Sequence, residues 1–451
     1  MVAAKSFLIF ASLFFYSWWS IKYLPIILFS ILFNYSIGNS INGNYKNVRI
    51  HNKSLLIFGI TVNIALLGYF KYMDFFIENF NSVFDTSHSL LHLTLPLAIS
   101  FFTFQQIAYL VDSYRGETSE YNFLNYALFV TFFPQLIAGP IVHHSEMMPQ
   151  FTSRWNQVKR YKNIATGVFV FSIGLFKKVI IADTLSIYAT AGFDQASALN
   201  LLEAWATSLS YTFQLYFDFS GYTDMAIGAA LLFNIKLPIN FYSPYKSLTI
   251  QDFWRRWHIT LSRFLRDYVY IPLGGNRRGS YRTYSNLLMT FVLGGIWHGA
   301  GWTFVLWGFL HGMALVVYRV WKFIGFEMPK IVAWFVTFNF INITWIFFRA
   351  KDWKDAVKVL GSMFNFDNIV LPKSISISLN EFNPVFHNIN GDKWTVIMLM
   401  TSFAIVLFFK NSMQKIEDFK LNFYTLLLSS IAFVVSMLFL GRVSEFLYFN
   451  F

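Results

Sequence analysis

The feature that most constrains this chain is a succession of apolar runs, most of them long enough to cross a bilayer. They fall at 6–38 (two in succession), 54–80, 93–111, 123–142, 163–192, 201–235, 283–318, 331–348, 395–409 and 421–440. One crossing takes about 20 helical residues, and lipid accepts only segments whose backbone hydrogen bonds close on themselves. The expected fold is therefore an all-α polytopic membrane protein of about ten to twelve helices and half-helices. Only 13% of residues are charged, about half the share of a soluble domain, which excludes that class. The N-terminus, MVAAKSFLIFASLFF, opens like a secretory signal, but no small-residue cleavage site follows and further spans do. It reads as a retained first helix.

Several runs are interrupted by Gly or Pro, as in LTLPLAIS (93–100) and PQLIAGP (134–140). Broken helices at membrane depth survive only against protein or a water-filled cavity, so an enclosed cavity is expected. No internal repeat or Pro/Ser-rich linker divides the sequence, and residues 1–451 read as a single integral membrane domain. Cysteine is absent, which removes disulfides, Cys-ligated zinc and a thiol nucleophile. The net charge of +12 needs no nucleic acid. Cytoplasmic basic loops account for it and would welcome anionic phospholipid or an acidic donor carrier. KNSMQKIEDFK (410–420) is expected on the cytoplasmic side. The basic stretch RAKDWKDAVKVL (349–360) conflicts with that topology unless an amphipathic helix at 352–364 lies in the interface.

The most charged part of the protein is QDFWRRWHITLSRFLRDYVYIPLGGNRRGSYR (251–282). It is too polar to span and too aromatic for a free loop, so a helix lying in or dipping into the interface is expected. It is either a surface anchor or a donor site. Arg forks bind phosphate well, and a nucleotide-linked thioester or a phosphopantetheine-bearing carrier presents phosphate. PLGGNRRG (272–279) is a Gly-rich turn without the GK[ST] of a Walker motif, so no ATP site is assigned.

Of nine histidines, His258, His298 and His311 stand in or beside apolar stretches. His298 and His311 are roughly 140° apart round a helix and about 20 Å along it, so they share a site only if the helix breaks between them. That spacing does not suit a metal, and none is expected. His298, inside GGIWHGAGWTF (294–304), and His258, ending the Arg/Trp stretch, form the better pair. A buried imidazole in a membrane is a functional candidate and suits general-base work. Helix packing through a carbonyl hydrogen bond is the competing account.

Five stretches together resemble the membrane-bound O-acyltransferase family in its bacterial polysaccharide branch. They are LPLAISFFTFQQIAYLVDSYRGE (95–117), FPQLIAGPIVHHSEM (133–147), YFDFSGYTDMAIGAALLFNI (216–235), QDFWRRWHITLSRFLRDYVYIPLGGNR (251–277) and GGIWHGAGWTFVLWGFLHG (294–312). Each is unspecific alone; together, in family order, they carry the resemblance across a core of 95–318. The resemblance implies a ring of membrane helices round a funnel or tunnel, in a multi-pass protein of the bacterial cytoplasmic (inner) membrane. The family's histidine maps onto His298 and its second polar position onto His258. The implied reaction is acyl transfer from a cytoplasmic thioester, acetyl-CoA or an acyl carrier, to a hydroxyl. His298 is then the base, and His258 polarises the thioester carbonyl or orients the donor. Trp254, Arg255, Arg256, Trp257, Arg266, Arg277 and Trp297 are expected to bind substrate. Asp112, Arg115, Asp218 and Asp224 are expected as structural ion-pair and capping groups.

The chain ends EFLYFNF (445–451), within a tail of 441–451. It is either an aromatic anchor at the interface or an acyl-carrying device. In the similar teichoic-acid system a small partner peptide ends in a Phe-x-Tyr-x-Phe-type motif. On that likeness Tyr448 takes the acyl group and presents it to an outside enzyme. No GDS nucleophile motif is present, so a separate extracytoplasmic SGNH-hydrolase-like transferase is implied as a partner. The polymer expected is peptidoglycan, with alginate or another exopolysaccharide, or teichoic acid, left open. A lipid-linked sugar transporter or flippase would need repeats or paired charges in its spans, and a non-catalytic scaffold would not need both histidines in intact motifs.

Overall fold

The computed structural model describes residues 2–43, 51–118, 122–137, 139–371, 385–441 and 447. All regular structure among them is helical. Among the described residues six helical segments are long and apolar enough to cross a membrane: Val2–Trp19, Ile21–Ile41, Asn52–Phe84, Tyr161–Gln195, Trp302–Ile324 and Lys330–Arg349. Two shorter apolar helices, Lys393–Phe408 and Phe423–Phe439, join them. The protein is an all-α polytopic membrane protein. Its chain forms two compact units, one from residues 1–171 and 225–238, the other from 172–224 and 239–447.

In the first unit α1 (Val2–Trp19), α2 (Leu24–Ile41), α3 (Asn52–Phe84), α4 (Ile99–Tyr114), α5 (Phe123–Thr131) and α6 (His144–Thr152) pack together. Polar residues inside these apolar helices satisfy one another, as lipid requires. Asn34 and Asn63 exchange amide hydrogen bonds of 3.2 and 2.7 Å between α2 and α3. Asp112 faces His144 Nδ1 at 3.2 Å and Arg115 at 3.7 Å. Both sequence breaks are real. Ala98 stands in the left-handed region at φ 60° and α4 starts after it. Helix α5 stops at Thr131, and Pro134 opens a separate single turn.

A run of 35 residues enters the second unit after Phe171 and combines α7 (Tyr161–Phe176), a π-turn at Lys177–Ala182, α8 (Asp183–Thr190) and a second π-turn at Ala191–Gln195. The first residues of α7 belong to the other unit, as does the end of α9 (Leu201–Leu232). The basic stretch does not form the single interfacial helix expected. It makes α10 (Ile250–Arg256), α11 (Ile259–Leu265) and a π-turn at Arg266–Tyr270. The break has its cause earlier in the chain, at residues 240–242. Tyr242 N–H donates to Arg256 O at 2.9 Å, and Ile259 N–H to Asn240 O at 3.0 Å. Backbone groups that a continuous helix would pair internally are thus held by residues 240–242.

Helices α12 (Gly279–His298) and α13 (Trp302–Ile324) form a close hairpin. A Cβ at Gly295 would meet Phe304 O, and one at Gly308 would meet Phe291 O. Only glycine lets these two backbones approach so closely. Then come α14 (Lys330–Arg349), the amphipathic α15 (Trp353–Met363), α16 (Lys393–Phe408), the short α17 (Ser412–Glu417) and α18 (Phe423–Phe439). Helix α15 turns Ala356, Val359 and Met363 inward and Lys354 and Val357 outward, as the sequence pattern at 352–364 predicts.

Candidate active site

His258 sits in the break between α10 and α11. Its backbone is left-handed, φ 43° and ψ 53°, an unusual state for a non-glycine residue. The side chain is fully buried, edge-on to Phe219 at 4.8 Å. Its Nδ1 lies 3.1 Å from Asn240 Oδ1. The same oxygen accepts from Thr260 N–H at 3.2 Å and from Thr260 Oγ1 at 2.9 Å. A backbone N–H can only donate, so it fixes the amide orientation of Asn240. An amide oxygen can only accept, so Nδ1 of His258 carries the proton and Nε2 carries the lone pair. Among the described residues Nε2 has no hydrogen-bond partner. Burial pushes this imidazole down to about 3, which keeps it neutral at physiological pH.

His298 is the last residue of α12 and is 3% exposed. Indole and phenyl rings surround it: Trp297 at 4.8 Å, Trp307 at 5.2 Å and Phe348 at 5.1 Å. Trp297 also lies 6.3 Å from His258, so one indole borders both imidazoles. The positive charge that a base acquires is favoured at the carbonyl end of a helix and by the faces of aromatic rings. The apolar sequence tolerates His298 because protein, not lipid, encloses it.

The α12–α13 hairpin does break between His298 and His311, at 299–301. His311 is nevertheless fully committed. Trp254 Nε1 donates to its Nδ1 at 3.2 Å. Its Nε2 lies 3.1 Å from Thr344 Oγ1, whose own proton goes to Ile341 O at 2.9 Å. His311 therefore donates from Nε2 and accepts at Nδ1, which leaves no atom for chemistry. Trp307 separates the two histidines, 4.8 Å from His311.

The other residues singled out in the sequence divide by position. Trp254 is tied to His311 and packed on Phe291 and Trp307. Trp257 is buried and stacks on Phe253 at 5.6 Å. Arg255, Arg266 and Arg277 are exposed. Arg266 is bidentate to Asp267, and Arg256 is paired with Asp252. On α9, Asp218 pairs with Lys178 at 2.6 Å and Asp224 with Lys177 at 2.6 Å. Tyr448 lies outside the described residues. Its neighbour Leu447 donates its N–H to Asp218 Oδ2 at 3.3 Å. Among the described residues no cluster of three His, Asp or Glu side chains could hold a metal. Sequence reasoning missed Asn240. It sits in an irregular loop, LPINFYSPY (237–245), where no periodicity marks it. An Asn in an apolar loop close to the RRWH stretch was the available signal.

Residues 113–351 match the model of the membrane-bound O-acyltransferase family. A peptidoglycan O-acetyltransferase of Helicobacter pylori is 51% identical, with 99% of this chain and 91% of that protein covered. A probable alginate O-acetylase of Pseudomonas aeruginosa is 41% identical over 80% of this chain and 69% of its own length. A teichoic acid D-alanyltransferase of Bacillus subtilis is 28% identical over 56% of this chain and 69% of that protein.

Proposed function

The chain belongs to the membrane-bound O-acyltransferase family, and from that premise we propose that it moves acetyl groups from a cytoplasmic thioester, acetyl-CoA or an acetylated carrier protein, across the bacterial inner membrane for the O-acetylation of peptidoglycan. The observation that carries the site assignment is the pair of buried imidazoles bordering one indole, Trp297. The whole-length similarity to a peptidoglycan O-acetyltransferase supports the polymer. The alginate and teichoic-acid relatives align over less of this chain.

His298 takes the proton from the acceptor hydroxyl. The oxygen attacks the thioester carbonyl, the C–S bond breaks, and the thiolate leaves with the proton returned by His298. A thioester is already activated, so no nucleophilic triad is required. Of the two roles open to His258, orienting the donor suits its tautomer better. Nε2 accepts a hydrogen bond, whereas polarising a carbonyl needs a donor. Enclosure by Trp297, Trp307 and Phe348 keeps water from the activated acyl group.

Tyr448 is the first acceptor in this reading. Its phenol receives the acetyl group and hands it to an extracytoplasmic SGNH-hydrolase-like transferase. The bond from Leu447, the residue before Tyr448, to Asp218 supports this reading, since Asp218 lies on α9, the helix whose Phe219 packs against His258.

The test expresses the chain with its genomic neighbours and measures ester-linked acetate released from purified peptidoglycan by mild base. For His298→Ala, with the protein still in the membrane, acetate release should fall by about 10²-fold or more. Unchanged release would remove His298 as base or peptidoglycan as polymer, and the same assay on other envelope polysaccharides separates the two. Tyr448→Phe should also lose polymer acetylation; full acetylation there removes the acyl-tyrosine step.

A further inference from the structure

A cavity of about 310 Å³ lies in the second unit, and neither His258 nor His298 lines it. Its walls are apolar: Ile173, Phe176, Phe217, Val406, Leu428 and Ala432 line it. It opens at the protein surface, where Phe409 and Ile431, which also line it, are 60% and 51% exposed. The opening exists because α18 is held loosely. Among the described residues α18 buries only Ala432 and Ser436, and its main packing partner is the π-turn at Lys177–Ala182. In a bilayer, an apolar gap open to lipid forfeits dispersion contacts unless a hydrocarbon chain enters it.

One end of the cavity is polar and basic. Lys177, Lys410, Ser412 and Lys415 line it together with Asn411. The charges there do not balance. Lys177 is neutralised by Asp224 at 2.6 Å, which also accepts from Ser412 at 2.8 Å. Lys410 pairs with Asp418 at 2.5 Å. Lys415 is half-buried and has no acidic partner among the described residues. Burial and the nearby Lys177 charge both push its ammonium below the usual lysine value. A half-buried cation beside another cation is costly unless an anion joins it.

We propose that this cavity is a binding site for an anionic glycerophospholipid, with one acyl chain between α7, α16 and α18 and its phosphate on Lys415. The basic loop at 410–420 belongs on the cytoplasmic face by the positive-inside rule, and anionic lipid is concentrated in that leaflet. The lipid fills the gap that α18 leaves and supplies the missing counter-charge. The site is independent of the acyl-transfer reading, since its test reads lipid and not ester.

The experiment is native mass spectrometry of the detergent-purified full chain, titrated with phosphatidylglycerol or phosphatidylcholine of the same chains. Wild type should hold one phosphatidylglycerol about tenfold more tightly than phosphatidylcholine, because both offer a phosphate but the choline cation cancels its charge and would sit in an already basic site. Lys415→Gln should bring the two lipids level without loss of the fold, and Ala432→Phe should weaken both by filling the cavity. A phosphatidylglycerol preference that survives Lys415→Gln would overturn the proposal. So would an adduct untouched by Ala432→Phe, or one that inorganic phosphate displaces as well as phosphatidylglycerol does.

Discussion

At His258 the chemistry depends on which ring nitrogen keeps its proton, and Asn240 makes that choice. Removing the acceptor in Asn240→Ala frees the ring to adopt either tautomer. Ester formation should then drop by about 10²-fold with the protein still inserted, as measured by acetate release. Asn240→Asp keeps the acceptor oxygen but adds a buried carboxylate, which favours the imidazolium. In the wild type the His258 ring is pushed down to about 3 and stays neutral between pH 5 and 8, so it adds no limb to the pH–rate profile there. Asn240→Asp should introduce a new loss of activity on the acid side. The same burial has a sign for stability. The unfolded imidazole, near 6.5, binds protons that the folded one refuses. The contribution of His258 is therefore complete above about pH 6.5 and lost as pH falls towards 3. His258→Gln should flatten that part of an acid-unfolding curve. The sequence marks His298 and His258 because an imidazole amid apolar neighbours is conspicuous. It does not mark Asn240, whose role depends on a loop meeting a helix break.

Among the elements, the α12–α13 hairpin is set by backbone contact at Gly295 and Gly308. Gly295→Val pushes a side chain into Phe304 O and should lower stability by about 1–3 kcal/mol in thermal or denaturant unfolding. Gly361, on the outward face of α15, has open space around its missing Cβ. Gly361→Ala should raise stability by about 0.5–1 kcal/mol through helix propensity. Long apolar runs such as 54–80 and 331–348 announce their helices, since hydropathy alone forces them. Breaks encoded by proline, at 93–100 and 134–140, are legible for the same local reason. The break at His258 is not, because its cause is the pairing of residues 240–242 with the helix ends. The π-turns are also invisible, since their composition matches the α-helix on either side.

Across the second unit, two lysine–aspartate pairs tie the π-turn at Lys177–Ala182 to α9, and Ser412 brings α17 onto one of them. Asp224→Asn leaves Lys177 buried beside a neutral amide and should cost about 3–5 kcal/mol. The joint replacement Lys177→Met with Asp224→Leu removes both charges and should recover most of that loss, with the interaction read from a double-mutant cycle. The sequence shows these charges as isolated letters in apolar runs. Their pairing needs the tertiary structure.

The π-turn also bears on how genes for such a chain can diverge. It accommodates one residue more than an α-helix would over the same rise. Lys177 and Lys178 both reach carboxylates, on Asp224 and Asp218, from consecutive positions. Deleting one codon within 177–182 would restore ordinary α-helix locally. The extra residue is absorbed within the turn, so the helices on either side would keep their faces, whereas a deletion elsewhere in α7 or α8 would rotate one side by about 100°. The inward face of α7 or of α8 would then turn towards lipid. Single-residue deletions that spare Lys177 and Lys178 should be tolerated within this turn far more readily than in the helices on either side.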